Sequence, residues 1–147
     1  VTEQRRTRRA LTVFADIVIP RKPPTPNLWT TKHWRFYYDV KKIWGTELRH
    51  ALGFASPPAT GRRIIEAQRE LGPRERPFDH DNALGGLKPI IDGLEALGWV
   101  VSDARHHLRV VVVDDRRTPH SGLRLVIRSP HGEEWGDDVR ARVLLAD

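Results

Sequence analysis

The stretch from Asp79 to Asp103 constrains the fold more than any other part of the chain. Leu84, Leu87, Ile91, Leu94 and Leu97 recur within it at helical spacing and make one apolar stripe. Pro89 suits the first turn of a helix, so the regular helix is expected from about Lys88, with Gly85-Gly86 as an irregular lead-in. Gly98 fits a C-terminal cap. A helix of this kind turns the chain back, which gives Asp103 a route to the place where Asp79 and Asp81 stand. If residues 79–81 are extended, Asp79 and Asp81 point the same way with Cα atoms roughly 6.5 Å apart, and His80 points away. Lys88 and Asp92 are four apart and share a helical face. Three carboxylates and a lysine at one point suit a hard divalent cation and a phosphate.

The flanking segments divide at their prolines and glycines. Leu11, Val13, Ala15, Ile17 and Ile19 alternate as in a strand, which Pro20 ends. Residues 20–31 form an extended Pro-rich loop. A helix is expected from near Thr31, a suitable N-cap, with Tyr37, Val40, Trp44, Leu48 and Ala51 as its buried stripe. A loop over 53–61 precedes a strand over 62–71, which Gly72-Pro73 breaks. Beyond the central helix, Leu108 to Val113 reads as a strand. The Thr118–Gly122 segment reads as a turn, and the alternating Leu123, Leu125 and Ile127 as the second strand of a hairpin. Residues 139–145 fit a short helix or a strand. These elements predict one domain spanning residues 1–147, of the α/β (α+β) class, with a small mixed β-sheet packed on two main helices and a basic arm over residues 1–10.

Charge narrows the choice of partners. The net charge is +6, and 20 of the 25 basic residues are arginine. Arginine binds phosphate in a bidentate fork and is weakly hydrated, so a polyanion is the expected partner; a merely solvated basic surface is the alternative. Arg21 and Lys22 in the Pro-rich loop, Lys32, and Arg74 and Arg76 just before the acidic cluster are the candidate DNA contacts. Trp34, Tyr38, Lys41, Lys42 and Arg49 lie off the buried stripe of the first helix, where aromatics stack bases and cations meet phosphate, unless the aromatics are simply packed. Cysteine is absent, which excludes disulfides, thiolate zinc sites and a cysteine nucleophile. No apolar run approaches the roughly 20 residues of a membrane span, and the polar, Arg-rich N-terminus lacks a signal-peptide pattern. A cytoplasmic location is the expectation.

The central stretch resembles the RusA family of Holliday-junction resolvases, phage-type endonucleases. Asp79, Asp81 and Asn82 match the opening Asp-x-Asp-Asn of the family pattern. Lys88 matches its lysine, Asp92 follows at the family distance, Gly98 precedes the last element, and Asp103 matches the second acid of a terminal pair. Two features depart from the pattern: the gap from Asn82 to Lys88 is longer and contains Gly-Gly, and Ser102 stands where the first acid of the pair belongs. The close match covers about 25 residues. The resemblance implies a RusA-like fold and a homodimer. It also implies Mg²⁺-dependent (or Mn²⁺-dependent) cleavage of four-way DNA junctions by paired symmetric nicks, in recombination or repair in a bacterial or phage-infected cell. It assigns metal binding to Asp79, Asp81 and Asp103, catalysis to these three with Lys88, and secondary roles to Asn82 and Asp92.

Other readings of the same residues stay open. Asp81-Asn82 would cap the following helix with or without a metal. Asp92 reads better as an ion-pair partner of Lys88 than as a ligand. Asp114-Asp115, at a strand end, competes with Asp103 for the place of third carboxylate. The chain is then an endonuclease, a branched-DNA-binding protein without catalysis, or an adaptor whose arginines meet another protein.

Overall fold

The computed structural model describes residues 12–25, 34–53, 61–77, 80–104, 106–130 and 143–145; residues 34, 80–82 and 143–145 are described by backbone alone. The order of elements is β1 (Val13–Ile19), α1 (Trp34–Leu52), β2 (Arg63–Leu71), α2 (His80–Gly86), α3 (Lys88–Ala96), β3 (Leu108–Arg117), β4 (Gly122–Arg128) and β5 (Val143–Leu145). The strands form one mixed sheet in the order β1-β4-β2-β3-β5. β2 runs parallel to β3 and antiparallel to β4; β1 pairs antiparallel with β4, and β5 parallel with β3. The expected α+β class, a small mixed sheet with two main helices, is what the chain adopts. Residues 143–145, open between helix and strand on sequence, are a strand.

One face of the sheet carries Ile19, Ile65, Leu108, Val110, Leu125 and Ile127 against Trp44 and Leu48 of α1 and Ile90 and Leu94 of α3, all buried. The two helices meet closely because Gly93 has no side chain: a Cβ there would lie 2.7 Å from Leu48 Cδ1. Of the stripe expected on α1, Trp44 and Leu48 are buried and Tyr37 and Val40 half-buried, but Ala51 is exposed and Leu52 turns inward instead. Gly53, at φ +72°, then ends α1 with its N–H donating to Arg49 O.

The sequence predicts a β3–β4 hairpin, and the topology overturns it. Both strands pair with β2, which lies between them, so the 118–121 connection spans two strand spacings, about 10 Å. It passes over the end of β2, where Thr118 N donates to Leu71 O at 2.9 Å. A short turn signal fixes chain reversal, while pairing is decided by which strand fills the middle. β2, with Ile64, Ile65 and Ala67 buried on alternate faces, fills it.

The lead-in to α3 also differs from expectation. Residues 80–86 are a helix, so the extended geometry assumed for 79–81 fails from His80 onward, and His80 is not set opposite Asp81 by strand alternation. The chain breaks stride only at Leu87, between α2 and α3. Pro89 has no N–H to donate back to residue 85, and Leu87 N donates instead to Leu84 O at 3.0 Å. At the far end of α3, Gly98 has φ +82° and donates to Glu95 O, while Trp99 N donates to Leu94 O. This is the expected glycine cap, in its Schellman form.

Candidate functional site

The β2–α2–α3–β3 crossover decides which carboxylates share an end of the sheet. α2 begins after the C-terminal end of β2, and β3 runs parallel to β2. The C-terminal end of β3 therefore lies beside the start of α2. An open cavity of about 440 Å³ occupies this end, lined by Leu71, Pro77, Ala83, Val112, Val113, Asp114, Asp115 and Arg117. Pro77 and Ala83 flank the Asp79–Asp81 segment in sequence. Asp81 is the second residue of α2; Asp79 lies outside the described residues, as does Lys32.

Asp114 and Asp115 sit on a β-bulge. Gln68 pairs with Val113 and Glu70 with Arg116, so two residues of β3 oppose Arg69 alone. Gln68 Nε2 holds the bulge by donating to Asp114 O at 3.0 Å. The extra residue resets the alternation, so Asp115 follows Val112 on the helix-covered face. It lines a second, smaller cavity there with Pro24, Arg69, Ala83 and Leu87. Sequence reasoning ranked this pair below Asp103. A bulge leaves no local mark in a run such as Val113-Asp114-Asp115-Arg116.

Asp103 stands at the other end. It is exposed, in the turn before β3, where Ala104 O accepts from His107 N and Leu108 N. From Leu108 to Asp115 the strand advances roughly 23 Å. The crossover thus sets Asp103 before the N-terminal end of β3, while α2, which carries Asp81, begins after the C-terminal end of β2. Ser102 is engaged within its own turn, where its Oγ lies 2.7 Å from His107 Nδ1 and accepts from Ala104 N at 3.2 Å. His107 is accordingly half-buried, with His106 exposed beside it.

Lys88 opens α3, seven residues and about 10 Å of helical path beyond Asp81. Its Nζ is 3.8 Å from Asp92 Oδ2 and 5.1 Å from the centre of the Tyr37 ring. Tyr37 Oη donates to the same Asp92 oxygen at 2.5 Å. Partial burial, reinforced by the neighbouring carboxylate, pushes the Tyr37 phenol well above its ordinary range, so it stays a donor. Asp92 is thus the ion-pair partner of Lys88 that the spacing indicated. It is braced from α1 by a tyrosine that periodicity alone assigned to the core. Lys88 remains largely exposed and keeps its ammonium available to an anion.

The loop that delivers the Asp79 segment is pinned at its base. Glu75 accepts from Gly72 N at 2.9 Å and from Arg69 Nη2 at 3.2 Å, with Lys22 Nζ at 4.0 Å. Arg117 Nη1 donates to Gly72 O at 2.6 Å and Glu75 O at 2.8 Å. Burial raises the Glu75 carboxyl, but these donors outweigh it and hold the group below the usual glutamate range. Of the expected DNA contacts, Arg21 is bound to Glu47 at 3.2 Å and Lys22 faces Glu75, whereas Arg74 and Arg76 are exposed beside the cavity-lining Pro77. Among the described residues no three of His, Cys, Asp and Glu are grouped to hold a metal; the side chains of residues 79–82 lie outside that set.

No family model matches the chain, and no curated protein matches it.

Proposed function

We propose that the chain is a metal-dependent, structure-selective DNA endonuclease of the RusA type, acting as a homodimer on four-way junctions. One observation carries the reading. Pro77 and Ala83, which flank the Asp79–Asn82 segment in sequence, line one cavity with Asp114 and Asp115; Arg74 and Arg76 precede it in the chain and Lys88 follows it. Asp79, Asp81, Asp114 and Asp115 offer only carboxylate oxygens, which suits Mg²⁺ or Mn²⁺ and not a soft metal. Asp79 and Asp81 would hold the ion, and Asp115, turned inward by the bulge, would serve as the third carboxylate. The metal would supply a polarised water and charge neutralisation at phosphorus. The chain's own part is to hold the carboxylates rigid through the Glu75–Arg117 staple. Lys88, steadied by Asp92 and Tyr37, supplies positive charge where the phosphorane forms. Paired nicks need two sites, hence two protomers.

A second reading has its own observation. Ser102 stands where the family pattern has an acid and is committed to a local turn, and Asp103 lies before the N-terminal end of β3, whereas α2 begins after the C-terminal end of β2. This favours a branched-DNA-binding protein without catalysis. Incubating a labelled four-way junction with Mg²⁺ or Mn²⁺, beside matched duplex, decides between them. Symmetric metal-dependent nicks that vanish in Asp81→Asn while binding persists support the endonuclease. Tight junction binding with no cutting supports the silent binder, and no preference for the junction refutes both.

A further inference from the structure

We infer that the groove between α1 and α3, on the outside of the helical layer, is a track for one strand of the DNA substrate. The inference rests on the proposed action on DNA, but its residues belong to none of the site described above. Tyr38, Lys41, Lys42, Gly45 and Arg49 follow one another at intervals of three, one, three and four along α1, so they form one stripe about 16 Å long. With Gly93, Ala96 and Leu97 of α3 they line an open groove of about 560 Å³. Gly45 keeps its floor low, since a Cβ there would meet nothing within 4 Å, and Gly93 lets the two helices close beneath it.

The groove is built for an anion rather than an apolar partner. Three cations line it against one carboxylate, Asp39. On the same two helices Glu47 is engaged with Arg21 and Asp92 with Lys88 and Tyr37, and the exposed Glu95, beside the lining Ala96, leaves the cations in excess. Among the described residues neither Lys41 nor Lys42 takes part in an ion pair. Tyr38 stands at the head of the stripe with 59% of its surface exposed. An exposed aromatic at the end of a cationic groove suits a nucleic-acid strand, with phosphates on the cations and a base stacked on the ring. Such a strand needs no sequence readout, which fits a protein selecting for structure.

The test is DNA binding without divalent metal, measured by fluorescence anisotropy across a salt series on a single strand, a duplex and a four-way junction. The variants are Lys41→Gln/Lys42→Gln/Arg49→Gln, Tyr38→Ala, and Arg116→Gln as a charge control outside the groove. The triple variant is expected to lower the slope of log affinity against log salt by about 2 on the single strand, three contacts at roughly 0.7 each. Arg116→Gln should change the slope by less than about 1. Tyr38→Ala should weaken the single strand at least about five-fold and leave the duplex nearly unchanged. If the triple variant misfolds by circular dichroism, the exposed Lys42→Gln alone carries the test with a third of the slope change. Wild-type slope and affinity in the folded variants, with junction cleavage intact, would overturn the groove and leave the endonuclease standing. Loss of groove binding in a protein that cuts nothing would do the reverse. A slope change on heparin but on no DNA would mean an acidic partner of another kind and overturn the assignment.

Discussion

Replacing Gly86 with alanine tests how the Pro-rich loop is seated on the helix that carries Asp81. A Cβ at Gly86 would stand 2.0 Å from Pro24 O and 3.1 Å from Pro24 C. Non-bonded carbon and oxygen do not approach within about 3 Å, so the loop or α2 must move by about 1 Å or more. Both obstructing atoms are backbone of a buried proline, and no side-chain rotation relieves the overlap. Overpacking of this kind costs about 1–3 kcal/mol. Because the overlap is with backbone, the upper part of that range applies, about 2–3 kcal/mol, and alanine regains up to about 1 kcal/mol of helix propensity, which leaves a net loss of about 1–2 kcal/mol. For a chain of this size that lowers Tm by about 2–8 °C. Gly45→Ala is the comparison. It lies in mid-helix in α1 with nothing within 4 Å of the added carbon, and it should raise Tm by about 2–4 °C. Urea unfolding followed by tryptophan fluorescence reads both, since Trp44 and Trp99 are buried. A Gly86→Ala protein as stable as wild type, beside a stabilised Gly45→Ala, would show that the Pro24 carbonyl does not rest on α2.

Three further outcomes follow from the site. Asp115→Asn should lower metal-dependent junction cleavage about 100-fold or more, the worth of some 2.7 kcal/mol at the transition state, while Asp103→Asn stays within a few-fold of wild type. The opposite result would give the third carboxylate to Asp103, which lies before the N-terminal end of β3, and mixed dimers of Asp81→Asn and Asp103→Asn protomers would then read whether it acts from the same protomer or its partner. Tyr37→Phe removes a hydrogen bond to a carboxylate and should cost about 1–2 kcal/mol in urea unfolding at neutral pH. The folded-state pKa of Tyr37 lies above its ordinary 10.0, so its contribution is full below that value and is lost as pH rises through the folded value. Wild type should therefore lose stability in the alkaline range and converge on Tyr37→Phe; a constant gap would refute the hydrogen bond as its source. Glu75 has the opposite sign. Its folded-state pKa lies below the ordinary 4.5, so its stabilisation holds above 4.5 and disappears as pH falls through the folded value. Glu75→Gln should cost about 1–2 kcal/mol at neutral pH, with a shallower acid limb; equal stability at neutral pH would show that the contacts of the carboxylate with Gly72 N and Arg69 contribute nothing.

Local features were legible before the fold was known. β1 and β4 follow from alternation, β2 and the start of β3 from short apolar segments, α3 from its apolar stripe with Pro89 near its start and Gly98 at its end, and the Lys88–Asp92 pair from i,i+4 spacing. Each depends on neighbours a few residues apart, whose geometry the backbone period sets. The α2 helix was hidden because Gly85-Gly86 reads as a breaker. Its reason is a carbonyl from Pro24, more than sixty positions away in the chain.

The tertiary structure alone decided three things. It set β2 between β3 and β4, which turned an expected hairpin into a crossing over the end of β2. It ran β3 parallel to β2, which took Asp103 away from the start of α2 and brought the β3 end to it. It formed the bulge opposite Arg69, which turned Asp115 toward the helices. All three depend on which strand fills the centre of the sheet and in which direction its neighbour runs. That choice is made by burial summed over the whole core, a quantity no window of sequence contains. The sequence determined which acids and cations the chain possesses and on what elements they ride; pairing and direction determined which of them meet.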